Sequence, residues 1–293
     1  MRVNSVIHEI SKGYWAINPA VLPFWASIVN QLFAREEFRL EGEKQSMVTV
    51  FDKQNRVVPP NDSGMQEVPP GSVAVINIMG ILVRYGDMCV YGAEDYVRTL
   101  YNIEANPNFI GAVGYFDGPG GAVGSISPFV QFGKVRKKSY VGLYETACSA
   151  HAFSMYPWVD HIMAENDLSA TIGSHGVVFS AKDDKKFLES QGFTFLEIYP
   201  DESEDKNLPV RLALEGKFDL IKKEMLSPMA LKLQEIVTSN RPNLKADAPG
   251  VLTGKVFYAP QAIEYGLVDS IGNLEAAIAR VRVLDEMKKL KKK

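Results

Sequence analysis

Ser149 is the residue of this chain best set for chemistry. It follows a β-rich run, Ser139-Tyr-Val-Gly-Leu-Tyr144, and a turn of small residues, and a helical segment comes after it. A hydroxyl on such a turn stands at a helix N-terminus, where backbone N–H groups and the helix dipole favour negative charge. A serine hydrolase needs that arrangement for its nucleophile and its oxyanion. A short strand, Val159 to Ala164, and a Gly173-Ser-His-Gly176 turn come next. Upstream, Asp117-Gly-Pro-Gly-Gly121 lies at the C-terminal end of a strand predicted over Ile110 to Phe116, the end at which open α/β sheets place their ligands. No Gly-Lys-Ser/Thr follows it, which excludes a phosphate loop. The four histidines show no metal-binding spacing, and Cys89 and Cys148 form no C-x-x-C, so neither a metal nor a cofactor is expected. Cys148, beside Ser149, reads as a small buried residue.

The elements that must position these residues alternate along the chain. Ser72-Val-Ala-Val-Ile-Asn-Ile-Met-Gly80 has the apolar continuity of a buried strand. Ala93 to Asn106 carries Val97, Leu100 and Tyr101 on one helical face. With the strand from Ile110 this makes a βαβ unit, and so a parallel sheet with a right-handed crossover. Further on, the pattern predicts a helix over Asp183 to Ser190 stopped by Gly192, and a strand over Phe193 to Tyr199. A long helix follows over Phe218 to Ser239, with Pro228 a source of a kink. Pro260 to Tyr265 is a short helix ended at Gly266, and Leu274, Ile278, Val281 and Leu284 recur on a last one.

Before this core, residues 1–56 form a lead-in. Asn18-Pro19 is a helix start followed by apolar residues at helical spacing from Val21 to Phe33, read as a helix packed on its own domain. Residues 57–71, with four prolines and two glycines, form a linker, and 72–284 the main domain. The basic residues of 285–293 read as a solvated tail.

Composition narrows the function classes. In 293 residues, 46% hydrophobic and 23% charged content is that of an ordinary globular protein. A net charge of −3 excludes a surface built mainly for nucleic acid. No uninterrupted apolar run reaches the ~18 residues of a membrane span, and the N-terminus lacks a basic-then-apolar signal pattern. The expected place is the cytoplasm, or a phage procapsid assembled there.

Three stretches in order, Asp117-Gly-Pro-Gly-Gly-Ala-Val123, the Ser149 segment and Leu252-Thr-Gly-Lys-Val-Phe-Tyr to Gly266-Leu-Val-Asp269, resemble the signal peptide peptidase A (protease IV) family of serine peptidases. Within it the chain is most similar to the short, soluble branch of phages and prophages that includes the minor capsid protein C type. The resemblance covers about Val68 to Val283. It implies an α/β fold of the Clp protease/crotonase-like kind, built of repeated ββα and βαβ units, and a Ser–Lys dyad. Ser149 is then the nucleophile, and Lys206, 57 residues later, the general base. The backbone N–H of Gly120 or Gly121 and that of Ala150 form the oxyanion hole. The substrate is an extended polypeptide, expected to be capsid or scaffold protein, and the assembly a homo-oligomeric ring whose subunits complete one another's sites.

The chain departs from the family pattern in three places. Ala150-His151 stands where many members have Gly-Gly, His175 replaces an aliphatic residue, and no glycine precedes Lys206. A lysine is a base only when burial lowers its pKa, and Asp201, Glu202, Glu204 and Asp205 work the other way. His175, with His151 and His161 behind it, is therefore the alternative base in a Ser–His arrangement. Three rivals remain: an inactive capsid-associated structural protein, a crotonase-type acyl-CoA enzyme without a nucleophile, and a cellular peptidase that degrades signal peptides. Self-cleavage within 57–71 is a further expectation.

Overall fold

The computed structural model describes residues 14–17, 46–59, 67–86, 90–180 and 184–291. The helix expected from Asn18, residues 60–66 of the linker and Cys89 lie outside them.

Alternation of side chains decides the architecture. Strand β3 (Ser72–Met79) turns Ala74, Ile76 and Ile78 to one face and Val73 and Val75 to the other, and both sets are buried. A strand apolar on both faces needs a layer on each side. It pairs in parallel with β4 (Phe109–Gly118), which pairs in parallel with β6 (Ser139–Cys148). Helices α1 (Ala93–Ala105), α2 (Ile126–Gly133) and α3 (Ala150–Met155) make the connections. The backbone N–H of Gly92, which caps α1, donates to the Asp95 carboxylate at 3.0 Å, a helix start of the capping-box kind. The mixed α/β class with a parallel sheet is as expected.

Beyond β6 the sheet divides. The first half of β6 pairs with β7 (His161–Ala164) and the second half with β8 (Thr171–Gly173), both parallel. β8 carries the antiparallel β10 (Val256–Tyr258), and β7 carries the parallel β11 (Ser270–Ile271). The opposite edge holds β2 (Val48–Phe51), antiparallel to β3. Residues 48–51 thus belong to the main sheet, and the lead-in drawn at 1–56 is not separate from the domain there.

Three other expectations change. The last helix, Leu274–Leu290, takes in most of the supposed tail, because Lys288 donates to the Lys138 carbonyl at 2.7 Å and to Asp160 at 3.0 Å. Phe193 to Tyr199 forms no strand: among the described residues it pairs with no sheet edge, and Leu196 and Ile198 are about four-fifths exposed. The long helix holds together, but Lys222–Leu226 winds as a π segment before Ser227–Asn240. A wide turn there accommodates Pro228, which has no N–H to give to the preceding turn.

The core beneath the site is aromatic. Trp158, fully buried, packs against Phe116, Phe129, Phe132 and Tyr140, with ring centroids 5.5–6.4 Å apart. Removing an indole from such a cluster leaves a cavity that its neighbours cannot fill. We expect Trp158→Ala to lose about 3–5 kcal/mol of unfolding free energy, read from urea denaturation. A loss below about 1 kcal/mol would mean the cluster repacks.

Candidate active site

Ser149 stands where β6 ends and α3 begins, as that helix's N-cap. Its backbone has φ 55° and ψ −113°, a conformation that L residues seldom adopt and that costs on the order of 1–3 kcal/mol. The strain is held from three sides. The Ser149 N–H donates to the Gly173 carbonyl at 2.8 Å, the Ser149 carbonyl accepts from Phe153 at 3.0 Å, and every residue of α3 is buried. Its Oγ faces the Gly176 carbonyl at 3.5 Å, and the residue has no solvent exposure. A strand that stops abruptly and starts a helix turns one side chain out of the sheet at a helix N-terminus, with the N–H of Ala150 next to it.

The Gly-Pro-Gly-Gly turn ends in β5 (Gly120–Ala122). Leu82 runs alongside: its N–H donates to the Gly120 carbonyl at 3.0 Å, and its carbonyl accepts from Ala122 at 2.9 Å. A Cβ on Gly121 would lie 1.9 Å from the Leu82 carbonyl oxygen, so no other residue fits there without parting the two segments. Gly120 has φ 120°, in the region open to glycine. On the far side of β5 runs β1 (Tyr14–Ile17), which also pairs with β9 (Val178–Phe179) in a small separate sheet.

Two of the histidines are committed elsewhere. The Val251 carbonyl, which can only accept, takes the Nδ1–H of His175 at 2.6 Å, and Nε2 accepts from the Tyr156 hydroxyl at 3.0 Å. Neither nitrogen is left for Ser149. His151 follows Ser149 by two positions, but its ring is buried edge-on to Phe116. His161 lies on β7 with Ser270 and Asp269, a trio that looks like a serine triad by type. There Arg280 donates to Nδ1 at 3.3 Å, so the proton sits on Nε2 and is donated to Ser270 at 2.8 Å. That is the wrong tautomer for a base, and Asp269 is taken by Arg241 at 2.7 and 3.0 Å. The trio ties β11 to β7. The Cys148 thiol is buried, and burial pushes its pKa up to about 11, so it is not a nucleophile at neutral pH.

Burial holds His151 and His175 neutral, with pKa values pushed down to about 3 and about 4 against the weaker opposite pull of the Gly120 and Val251 carbonyls. In the unfolded chain both protonate near ~6.5. The unfolded state therefore binds two more protons than the folded one between those values. Stability is full above pH ~6.5 and falls with decreasing pH, by up to about 2.7 kcal/mol per unit for the pair. Urea midpoints measured from pH 7 down to 4.5 check this, and a flat profile would contradict it.

Lys206 is exposed. It follows the turn Asp201–Ser203, and its N–H donates to the Ser203 carbonyl at 3.0 Å; among the described residues no hydrogen bond joins it to Ser149. The structure thus brings together Ser149, Ala150, Gly120 and Gly121 and leaves Lys206 outside. The part of the site that sequence reasoning missed is the pair of edges, β5 and β9, beside the serine. Their only signal was glycine content and a two-residue apolar step.

The model of a family described as Peptidase family S49 matches residues 132–288, more than half of the chain and including both Ser149 and Lys206. No curated protein matches the chain. Among solved structures, one described as an enoyl-CoA hydratase/isomerase family member is 18% identical, with a TM-score of 0.41 over 77% of this chain and 81% of that one.

Proposed function

Because the chain belongs to peptidase family S49, a family of serine peptidases, we propose that it is an endopeptidase with Ser149 as nucleophile and Lys206 as general base. The observation that carries the reading is the strained backbone of Ser149 at the β6–α3 junction, next to a helix packed against the glycine strand β5. Strain of this kind persists where the surroundings enforce it, and here it serves to present a hydroxyl.

In the proposed reaction an extended polypeptide lies along β5, and Ser149 Oγ attacks its scissile carbonyl. The oxyanion forms against the N–H of Ala150 and that of Gly120. Gly120 is preferred to Gly121 because its φ of 120° sets its peptide in an orientation other residues seldom adopt, while Gly121 is fixed by its close approach to Leu82. Lys206 takes the serine proton, returns it to the leaving amine, and then activates the water that frees the acyl group. No cofactor enters any step.

Lys206 must be brought in from its exposed turn. Its segment carries exposed Phe187, Phe193, Leu196, Ile198 and Phe218. So much apolar surface suits contact with another copy of the chain, and we place the active form in a homo-oligomeric ring in which docking desolvates the lysine. The substrate reading is capsid or scaffold protein of a phage, on the likeness to that branch. The exposure of Lys206 favours one rival, a capsid-associated protein that has lost activity.

The test is hydrolysis of an unstructured protein by the wild type, Ser149→Ala and Lys206→Ala, with a serine-reactive phosphonate as label. Loss in both variants and labelling that depends on Ser149 support the dyad. Loss in Ser149→Ala alone moves the base elsewhere. An unlabelled, inactive wild type, assembled, favours the structural protein.

A further inference from the structure

The strand Tyr14–Ile17 lies antiparallel to both of its neighbours. On one flank Trp15 stands opposite Ala122, Ala16 opposite Gly121 and Ile17 opposite Gly120. On the other flank Tyr14 is opposite Phe179 and Trp15 opposite Val178. Continuing that second register by two residues brings Ile17 level with Gly176, whose carbonyl is the one that Ser149 Oγ faces at 3.5 Å. The two registers thus set Ile17 beside segments that border Ser149: Gly120 of β5, which packs on α3, and, by continuation, Gly176. The strand runs toward Ser149, so Tyr14–Ile17 fill the positions on the acyl side of a bond to be cut.

An extended polypeptide gains affinity from main-chain hydrogen bonds to open sheet edges, with side-chain pockets adding selectivity. β5 and β9 are such edges, and β1 is the strand that joins them. A foreign substrate and β1 need the same place. Taking Ser149 as the nucleophile, as proposed above, we propose that the N-terminal segment is the protein's own first substrate, cleaved at the peptide bond that follows Ile17.

The step balances with water as the only co-reactant. Ser149 Oγ bonds to the Ile17 carbonyl carbon and gives its proton to the base. The C–N bond breaks, the amine of Asn18 takes that proton, and residues 1–17 remain as an ester on Ser149. Water cleaves the ester, restores the hydroxyl and leaves a carboxylate on Ile17. Until then β1 plugs the cleft. The cut lies well before the proline-rich stretch 57–71, where sequence alone placed self-cleavage.

The experiment follows intact mass and the N-terminal residue of the full-length chain during incubation, for wild type, Ser149→Ala and the double variant Trp15→Pro/Ala16→Pro. Successive N–H groups of a strand serve opposite edges, so the two prolines unpair β1 from both. Hydrolysis of an unstructured protein is measured alongside. A labelled peptide of residues 8–17 is titrated onto Ser149→Ala with and without the prolines. We expect the wild type to yield a chain starting at Asn18 and Ser149→Ala to stay whole. The proline variant should hydrolyse added protein about tenfold faster than the uncut wild type, since apparent affinity scales with the fraction of open clefts. The peptide should bind only when the prolines are present. A wild type that hydrolyses added protein while staying whole, with equal peptide binding to both forms, overturns self-cleavage alone. Absence of hydrolysis by every form, the proline variant included, overturns the peptidase reading and self-cleavage with it.

Discussion

Ser149→Ala lowers kcat/KM for an unstructured protein by about 10⁴- to 10⁶-fold while leaving the fold in place. Groups that act as one unit in acyl transfer lose nearly the whole covalent route when the nucleophile goes, and what remains comes from binding and the oxyanion donors. The fold survives because little of it depends on the hydroxyl. The strained φ of 55° is enforced through the backbone, by the Gly173 carbonyl and by α3, and Oγ makes only a long contact to Gly176. Alanine meets the same strain as serine, so the unfolding midpoint moves little. Lys206→Ala falls almost as far if the exposed turn docks over the serine in the assembled enzyme. Rates and urea midpoints measured on the same preparations separate chemistry from stability. A Ser149→Ala protein within tenfold of the wild type would remove Ser149 from the reaction.

Gly120→Ala comes second, with kcat reduced about 10²- to 10³-fold, the range seen on losing one oxyanion donor. At φ 120° a Cβ is disfavoured, so the peptide before residue 120 rotates and takes its N–H off the position where negative charge develops. The cost in stability is smaller, on the order of 1–2 kcal/mol, because β5 is only three residues long. The diagnostic result is a fall in kcat with KM nearly kept. If KM alone rises, Gly120 serves the substrate strand and Gly121 becomes the donor to test.

Much of the framework could be read from residue order. Ser72 to Gly80 and Ile110 to Phe116 announced themselves by apolar continuity, and Ala93 to Asn106 by helical spacing, because each buries a face whose period is local. The strand–serine–helix junction was legible for the same reason. Small residues at Ala147-Cys-Ser-Ala150 permit one sharp reversal between two segments of strong pattern. The Phe193 to Tyr199 strand failed on equally local grounds: an apolar, β-prone run says that a partner is wanted, not that the same chain supplies one. Four histidines looked alike in sequence, yet hydrogen bonds to Val251, Tyr156, Ser270 and Arg280 removed two of them as bases.

By itself, then, the sequence determined the alternating α/β core, the placing of Ser149 at a strand end and the membership of a serine peptidase family. These rest on short-range pattern and residue type. The tertiary structure alone decided which glycine is turned, which histidines are tied down, and that Tyr14–Ile17 lies between Gly120–Ala122 and Val178–Phe179. Such facts depend on pairing between segments distant in the chain, and the hydrogen bonds of a backbone ladder are the same for every side chain that could have occupied it.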